Sequence, residues 1–308
     1  MAEVVDVAAV DIGGSRLKAA IVRSDGTHEL ARTLPTPPDL EFRLGEVVGD
    51  VVAGLARDLG RPPAAVGLAA PGLVDDTRAL GVFSANLGWR ALDLRRPVAM
   101  ATGLPVAVGH DVRAGLLAEC WLGAATDCSD VAFVPIGTGV AAALLVDGRE
   151  LVAGGFAGEI GHVVVVPDGP ACGCGGRGCL EAVAAAPAIA RAYAQRAGLD
   201  PAAAASCNAQ AVAALVAAGD QVADAVWTEA VDHLARVLAT VALAAGTQQI
   251  VVGGGLAQAG EVLLSPLQAR ITTYGGALRP LRVVAAALGD FAGCLGAGRL
   301  ALRLLAAP

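Results

Sequence analysis

His162, Cys172, Cys174 and Cys179 crowd into one glycine-rich stretch, GHVVVVPDGPACGCGGRGC. An imidazole and three thiolates are soft ligands that suit tetrahedral zinc. Three unrelated thiols are the alternative, although rare residues seldom cluster this closely. Four protein ligands leave no open position, so the ion would be structural and would fix the loop carrying Glu159 and Glu181. A second constellation is Asp11-Ile12-Gly13-Gly14-Ser15-Arg16, a carboxylate at the end of an apolar run followed by two glycines. Without a Cβ, these glycines let the backbone approach a ligand closely. The turn's amides can cradle phosphate oxygens, and the carboxylate can hold a hydrated magnesium ion. An ordinary hairpin turn would look the same. Gly137-Thr138-Gly139 in the matching place of a second half, and Gly253-Gly254-Gly255 beyond a third strand, favour the nucleotide reading. Asp111 lies between a short strand and a helical stretch, where it can be a helix N-cap or can take a proton from a substrate alcohol.

The elements that must position these residues follow from periodicity. Segments 5–10 and 17–22 are β-prone runs joined by the Asp11 turn, and a third strand covers 28–34. Helical spacing of Leu44, Val47, Val48, Val51, Val52 and Leu55 predicts a helix over 41–59, before Gly60 and Pro62. Short buried strands are predicted at 66–70 and 106–109, with a helix over 113–122. The pattern then restarts: strand 131–136, the Gly137 turn, and a returning strand 140–146. Two copies of strand, glycine turn and strand suggest a duplicated α/β unit. A strand at 249–252 precedes the third glycine turn. Segment 180–246 is Ala-rich and helical, broken near Pro187, Pro201 and Gly219, and 290–306 is a terminal helix. The expected division is a small N-terminal lobe, 1–112 plus about 290–308, and a larger lobe, 113–289, with the zinc loop 162–179.

Composition narrows the class. A chain of 308 residues suits about two domains. A formal charge of −7 gives no footprint for nucleic acid or an anionic membrane, so a small diffusible partner is expected. The first residues carry no basic segment and no cleavable apolar stretch, which predicts a soluble, cytoplasmic protein. Of the seven cysteines, Cys120, Cys128, Cys207 and Cys294 read as reduced, partly buried thiols. Lys18 is the only lysine, which excludes a Walker A loop and a Schiff-base site.

In order along the chain, DIGGSRLKAAIV, APGLVD, SANLGW, HDVRAGLLAE, GTGV, AGEIGH, CGCGGRGCLE and GGGL resemble the ROK family of repressors, open reading frames and kinases. AGEIGH followed by the CxCGxxGCLE segment is the family's distinguishing signature. The resemblance implies a two-lobed actin-like ATPase (ribonuclease H-like) α/β fold and a sugar kinase using ATP and magnesium, with a structural zinc. By family pattern Asp11, Gly13, Gly14, Ser15 and Arg16 form the first phosphate loop, Gly137, Thr138 and Gly139 the second, while Gly253, Gly254 and Gly255 border the adenosine. Asn86, His110, Asp111, Glu159, His162 and Glu181 match sugar-contacting positions, Gly72 closes the pocket, and Asp111 is the catalytic base. The histidine matching His162 touches sugar through one ring nitrogen and zinc through the other. A dimer or tetramer is implied as well. The chain departs from the family at His110-Asp111-Val112-Arg113, where Asn-Asp-x-Asn is usual, at Ser15-Arg16 for Thr-Lys, and at Val140-Ala141-Ala142, where more glycines usually follow. The expected reaction is transfer of the ATP γ-phosphoryl group to a hexose hydroxyl, most simply that on C6, of glucose or a glucose-like sugar such as kanosamine. The rivals are an N-acylhexosamine kinase and a sugar-responsive ROK regulator.

Overall fold

The computed structural model describes residues 4–275, 278 and 280–307. The chain forms two compact units. One comprises the chain up to Thr126 with Val152–Ala157 and the segment from Asp290 onward; the other comprises Asp127–Leu151 and Gly158–Gly289. Among the described residues, no helix is long and apolar enough to cross a membrane.

The first unit opens with β1 (Asp6–Ile12), β2 (Arg16–Arg23) and β3 (His28–Pro35), an antiparallel meander in which Asp11 pairs with Lys18. Then come α1 (Leu40–Leu59), β4 (Val66–Ala70), β5 (Leu73–Asp75), β6 (Leu80–Phe83), β7 (Arg90–Asp93), α2 (Arg96–Thr102), β8 (Val106–His110) and α3 (Asp111–Leu122). The main sheet has the order β3-β2-β1-β4-β8, with β4 and β8 parallel to β1. Strands buried on both faces are nearly all apolar, as in β1 and β4. Ala8, Val10 and Ile12 share a core with Leu44, Val48 and Leu55 of α1. The C-terminal helix, Ala292–Ala306, packs on β1, β4 and α3. Its approach depends on glycine: a Cβ on Gly67 would lie 1.8 Å from the Ala297 carbonyl oxygen, and one on Gly296 1.8 Å from that of Ala114. The small β5-β6-β7 sheet, around the fully buried Trp89, is absent from the sequence-based expectation.

The second unit contains β9 (Val131–Pro135), β10 (Ala143–Val146), β11 (Arg149–Glu150), the short helices α4 (Leu180–Ala184), α5 (Ala186–Arg196), α6 (Pro201–Ser206) and α7 (Ala209–Ala217), the long α8 (Gln221–Ala245), β12 (Gln249–Gly253), α9 (Glu261–Gly275) and β13 (Arg282–Ala285). Its sheet, β11-β10-β9-β12-β13, repeats the first: antiparallel neighbours on one side, two parallel strands on the other. The duplication read from the glycine turns is thus a duplication of topology.

Several boundaries differ from expectation for identifiable reasons. Pro187 and Pro201 begin α5 and α6 rather than break a helix, because a proline in the first turn forfeits no intrahelical bond. The returning strand starts at Ala143; nearer the turn only an isolated Ile136–Val140 bridge forms. Asp111 is not the N-cap of α3. His110, extended at φ −75° and ψ 141°, holds that position without a side-chain cap, and Asp111 is the first helical residue. The expected lobe boundary at 112 falls inside α3, which packs on the C-terminal helix of the first unit; the chain enters the second unit at Asp127.

Candidate active site

The candidate residues fall into two groups, one in each unit. In the first, the β1–β2 hairpin is closed by Gly13 N donating to Arg16 O at 2.9 Å and braced by Thr36 Oγ1 donating to Gly13 O at 2.8 Å. A Cβ on Gly13 would lie 2.7 Å from the Arg16 carbonyl oxygen. Gly14, Ser15 and Arg16 are exposed at the tip. Asn86 lies beside this turn, its Cβ 3.5 Å from where a Gly14 Cβ would stand. Gly72 takes φ 92°, and a Cβ there would lie 2.3 Å from the Phe83 carbonyl oxygen, so glycine sets the spacing of β5 and β6.

Asp11, at the end of β1, faces the first turn of the C-terminal helix, where a Cβ on Gly293 would sit 2.6 Å from Oδ2. Burial and then the nearby Asp111 charge push Asp11 up to about 7, against the pull of Lys18. Lys18 in turn donates to the Asp290 carbonyl oxygen and lies 3.8 Å from its carboxylate. Asp111, beyond β8, accepts from Val112 N at 2.7 Å. Burial drives its carboxyl up to about 6, opposed by that N–H and by Arg113. His110 is buried, with Nε2 3.1 Å from Asp111 Oδ1 and an enclosed Nδ1 that meets no partner. Desolvation, and next the Arg113 charge, hold His110 down to about 3, so its ring is neutral. Arg113 is itself buried and forks onto Asp76 at 2.8 and 3.0 Å.

In the second unit, two glycine turns are joined through one residue. Ile136 N donates to Gly253 O at 2.9 Å, and Ile136 O accepts from Leu256 N at 3.0 Å. Gly254, at φ 76°, comes so close to Ile136 that a Cβ would lie 2.4 Å from its carbonyl oxygen. The Gly137-Thr138-Gly139 turn is tied to the start of α5 by Ala186 N donating to Gly137 O at 3.0 Å. Glu181 Oε2 accepts from Val140 N at 3.3 Å and occupies the space a Cβ on Gly139 would need. The 158–162 segment lies along the same stretch: Ala142 N donates to Gly158 O at 2.8 Å, and Gly161 abuts the Val140 carbonyl. Val140 and Ala142, where the family usually has glycine, therefore carry backbone contacts that lock the turn to the loop bearing Glu159 and His162.

The metal-ligand set is assembled. One ligand atom each from His162, Cys172, Cys174 and Cys179 lies within 4.8 Å of the others. Ligands ~2.3 Å from a tetrahedral ion stand ~3.8 Å apart. The pairs Cys172 Sγ–His162 Nδ1 and Cys174 Sγ–Cys179 Sγ are both 3.7 Å apart, so the donors fit zinc by chemistry and by spacing. His162 turns Nδ1 to the thiols and Nε2 toward Glu159, 3.6 Å away, the usual arrangement of a carboxylate behind a ligating imidazole. Cys172 Sγ lies 4.0 Å from Glu181 Oε1, so one carboxylate touches both the thiol cluster and the glycine turn.

Sequence reasoning misses Asp76 and Gly293, and it notes Lys18 only as the sole lysine, not as a neighbour of Asp11. The available signal for an acidic partner is Arg113, a charged residue in a helical stretch that is mostly apolar.

Comparison with known proteins agrees with this architecture. The ROK family profile matches residues 7–304. The chain is 33% identical over 316 residues to the glucokinase of Streptomyces coelicolor, covering 95% of this chain and 96% of that one. It is also 33% identical over 296 residues to the N-acetylmannosamine kinase of Escherichia fergusonii, covering 95% and 97%. Among solved structures, the ROK family glucokinase of Streptomyces griseus in complex with glucose and AMPPNP superposes with a TM-score of 0.83 at 33% identity, covering 97% of this chain and 99% of that one. The chain belongs to the ROK family. Its duplicated sheets are the actin-like ATPase fold found in that family's sugar kinases.

Proposed function

We propose that this protein is a cytoplasmic, ATP-dependent hexose kinase that phosphorylates the C6 hydroxyl of glucose or a glucose-like sugar, amino-substituted glucoses such as kanosamine included. The observation that carries the reading is the pair Asp11 and Asp111. They are two carboxylates at the carboxyl ends of strands in one sheet, close enough for the charge of Asp111 to raise the proton affinity of Asp11, beside an exposed glycine turn. Asp111, with its carboxyl near 6, is ionised at neutral pH yet basic enough to accept a proton from an attacking hydroxyl. Asp11 suits the hydrated magnesium that accompanies ATP, and that charge would keep it ionised. Gly13, Gly14, Ser15 and Arg16 would hold phosphate oxygens, as would Gly137, Thr138 and Gly139, with Gly253, Gly254 and Gly255 along the adenosine. Asn86, His110, Glu159, His162 and Glu181 would contact sugar hydroxyls, and Gly72 would shape the pocket. Phosphoryl transfer needs little covalent chemistry from the protein, so positioning is the main work of these residues. His162, Cys172, Cys174 and Cys179 would hold a zinc ion, which supplies rigidity to the loop and no chemistry of its own.

The N-acetylmannosamine kinase relative supports an N-acylhexosamine as the alternative substrate. A coupled ADP-release assay over glucose, mannose, glucosamine, kanosamine and N-acetylmannosamine tests both readings. ADP release with the first four and not the last supports the proposal, and the reverse supports the alternative. Sugar binding without ADP release from any of them would point to a regulator.

A further inference from the structure

His110 ends β8 on a face it shares with apolar residues. Side chains two apart in a strand point the same way, so His110 follows Val106 and Val108, both part of the core of the first unit. It exposes only 7% of its surface, which leaves a narrow edge for the sugar contact that the family pattern implies. Its nitrogens are otherwise disposed: Nε2 lies 3.1 Å from Asp111 Oδ1, and Nδ1 is enclosed.

That contact selects one tautomer. Desolvation keeps the ring neutral, and a neutral imidazole carries a proton on one nitrogen and a lone pair on the other. A bare Nε2 would set its lone pair against a carboxylate oxygen 3.1 Å away, whereas an N–H there is attracted to it. The proton therefore sits on Nε2. Asp111 Oδ1 then meets two donors, Val112 N at 2.7 Å from the residue after it and Nε2–H from the residue before. The outer torsion of an aspartate is soft and roughly two-fold, so without such a grip its two oxygens exchange places.

We propose that His110 is a positioning residue for phosphoryl transfer: its Nε2–H holds Asp111 Oδ1 and so fixes the orientation in which the other oxygen receives the substrate proton. The proposal rests on the reading of Asp111 as the base, and it gives His110 a task beyond the sugar contact proposed above. It also supplies a use for the departure from the family's Asn-Asp. An asparagine amide ends one bond short of Nε2 and would not reach Oδ1 from the same backbone, so the histidine makes a contact that the usual residue does not.

The test compares the wild type with H110F, which fills the site without a donor, with H110Q, whose amide nitrogen can stand where Nε2 stands, and with D111N. The probe is the sugar of the panel above that the wild type turns over fastest, at saturating magnesium-ATP. Steady-state kcat and sugar KM are read together with sugar affinity by calorimetry. In H110F kcat falls roughly tenfold or more, as expected for a misplaced catalytic group, while sugar affinity changes less than about twofold. H110Q recovers most of that loss. A rise in sugar KM with kcat unmoved would make the ring a sugar contact alone, and equal losses in H110F and H110Q would make it a packing residue; either overturns the proposal. Should both variants fail to fold, nitrogen NMR of the histidine-labelled wild type still decides, because only four histidines contribute and those signals that shift in D111N belong to His110. A proton on Nε2 supports the proposal, and one on Nδ1 overturns it. D111N also separates the two readings. If D111N turns over normally, the assignment of the base fails; if D111N is inactive while H110F turns over normally, only the role of His110 fails.

Discussion

Cys174→Ser should cost the protein its metal and, with it, the order of the loop from Val163 to Arg177. That stretch buries little apolar surface: Val163 and Val164 are 46% and 56% exposed, every residue up to Arg177 is open or half-open, and the half-buried Val165 packs against the core. Ordering about 15 residues at ~1 kcal/mol each costs on the order of 15 kcal/mol. Eight main-chain hydrogen bonds, such as Val165 N to Gly178 O at 2.8 Å and Cys172 N to Gly176 O at 2.9 Å, return about 8 kcal/mol at ~1 each. The remaining deficit of about 7 kcal/mol is close to the ~10 kcal/mol that a structural zinc site contributes. A serine hydroxyl is a far poorer zinc ligand than a thiolate, and Cys174 can be changed with little loss of packing because it is exposed. The wild type should carry about one zinc per chain by metal analysis. C174S should carry much less, and its loop should be cut by protease at sites protected in the wild type. Because Glu181 and the 158–162 segment bridge the loop to the Gly137 turn, nucleotide affinity should fall with the metal. Fully folded, protease-resistant and metal-free wild-type protein would refute the reasoning.

Asp111→Asn should lower turnover by roughly 100-fold or more while sugar affinity changes little, and steady-state kinetics with a direct sugar-binding measurement checks both. The same variant should show a pH signature in thermal unfolding. Burial raises the folded-state pKa of Asp111 above its ordinary value of 3.8 to about 6, so the folded state binds the proton more tightly. Its contribution is then fully favourable below pH ~4 and is lost as pH rises through ~6. The Tm of the variant relative to wild type should accordingly rise between pH ~4 and ~7; a constant difference would show that Asp111 is not perturbed. Gly296→Ala places a methyl group against the Ala114 carbonyl oxygen, at 1.8 Å before relaxation, and should destabilise the protein by about 1–3 kcal/mol or more in denaturant unfolding. Wild-type stability there would mean that the C-terminal helix is free to shift.

What the sequence disclosed and what it withheld divide along chain separation. The zinc ligands, the glycine turns and the α1 stripe are local patterns, readable because residue types recur within one turn, one hairpin or one short loop. The β5, β6 and β7 strands are only three or four residues long, too short for a period to register. The contacts that tune the carboxylates are longer-range still. Arg113 and Asp76 are 37 positions apart, and Lys18 and Asp290 are 272 apart, the latter joined because the C-terminal helix returns to the first sheet. Asp111 shows the limit most sharply. Its type and neighbourhood marked it as chemically interesting, but whether it capped the helix or entered it turned on the extended backbone of His110, a difference of one residue. That residue matters for function. At the N-cap its carboxylate would satisfy amides of the second and third helical residues. As the first helical residue it accepts from Val112 N through Oδ1, the oxygen that also lies near His110 Nε2; on the proposed reading Oδ2 would accept the substrate proton. Between structural cap and base, a choice open at the level of sequence, the geometry of a single peptide unit removes the cap and so favours the base.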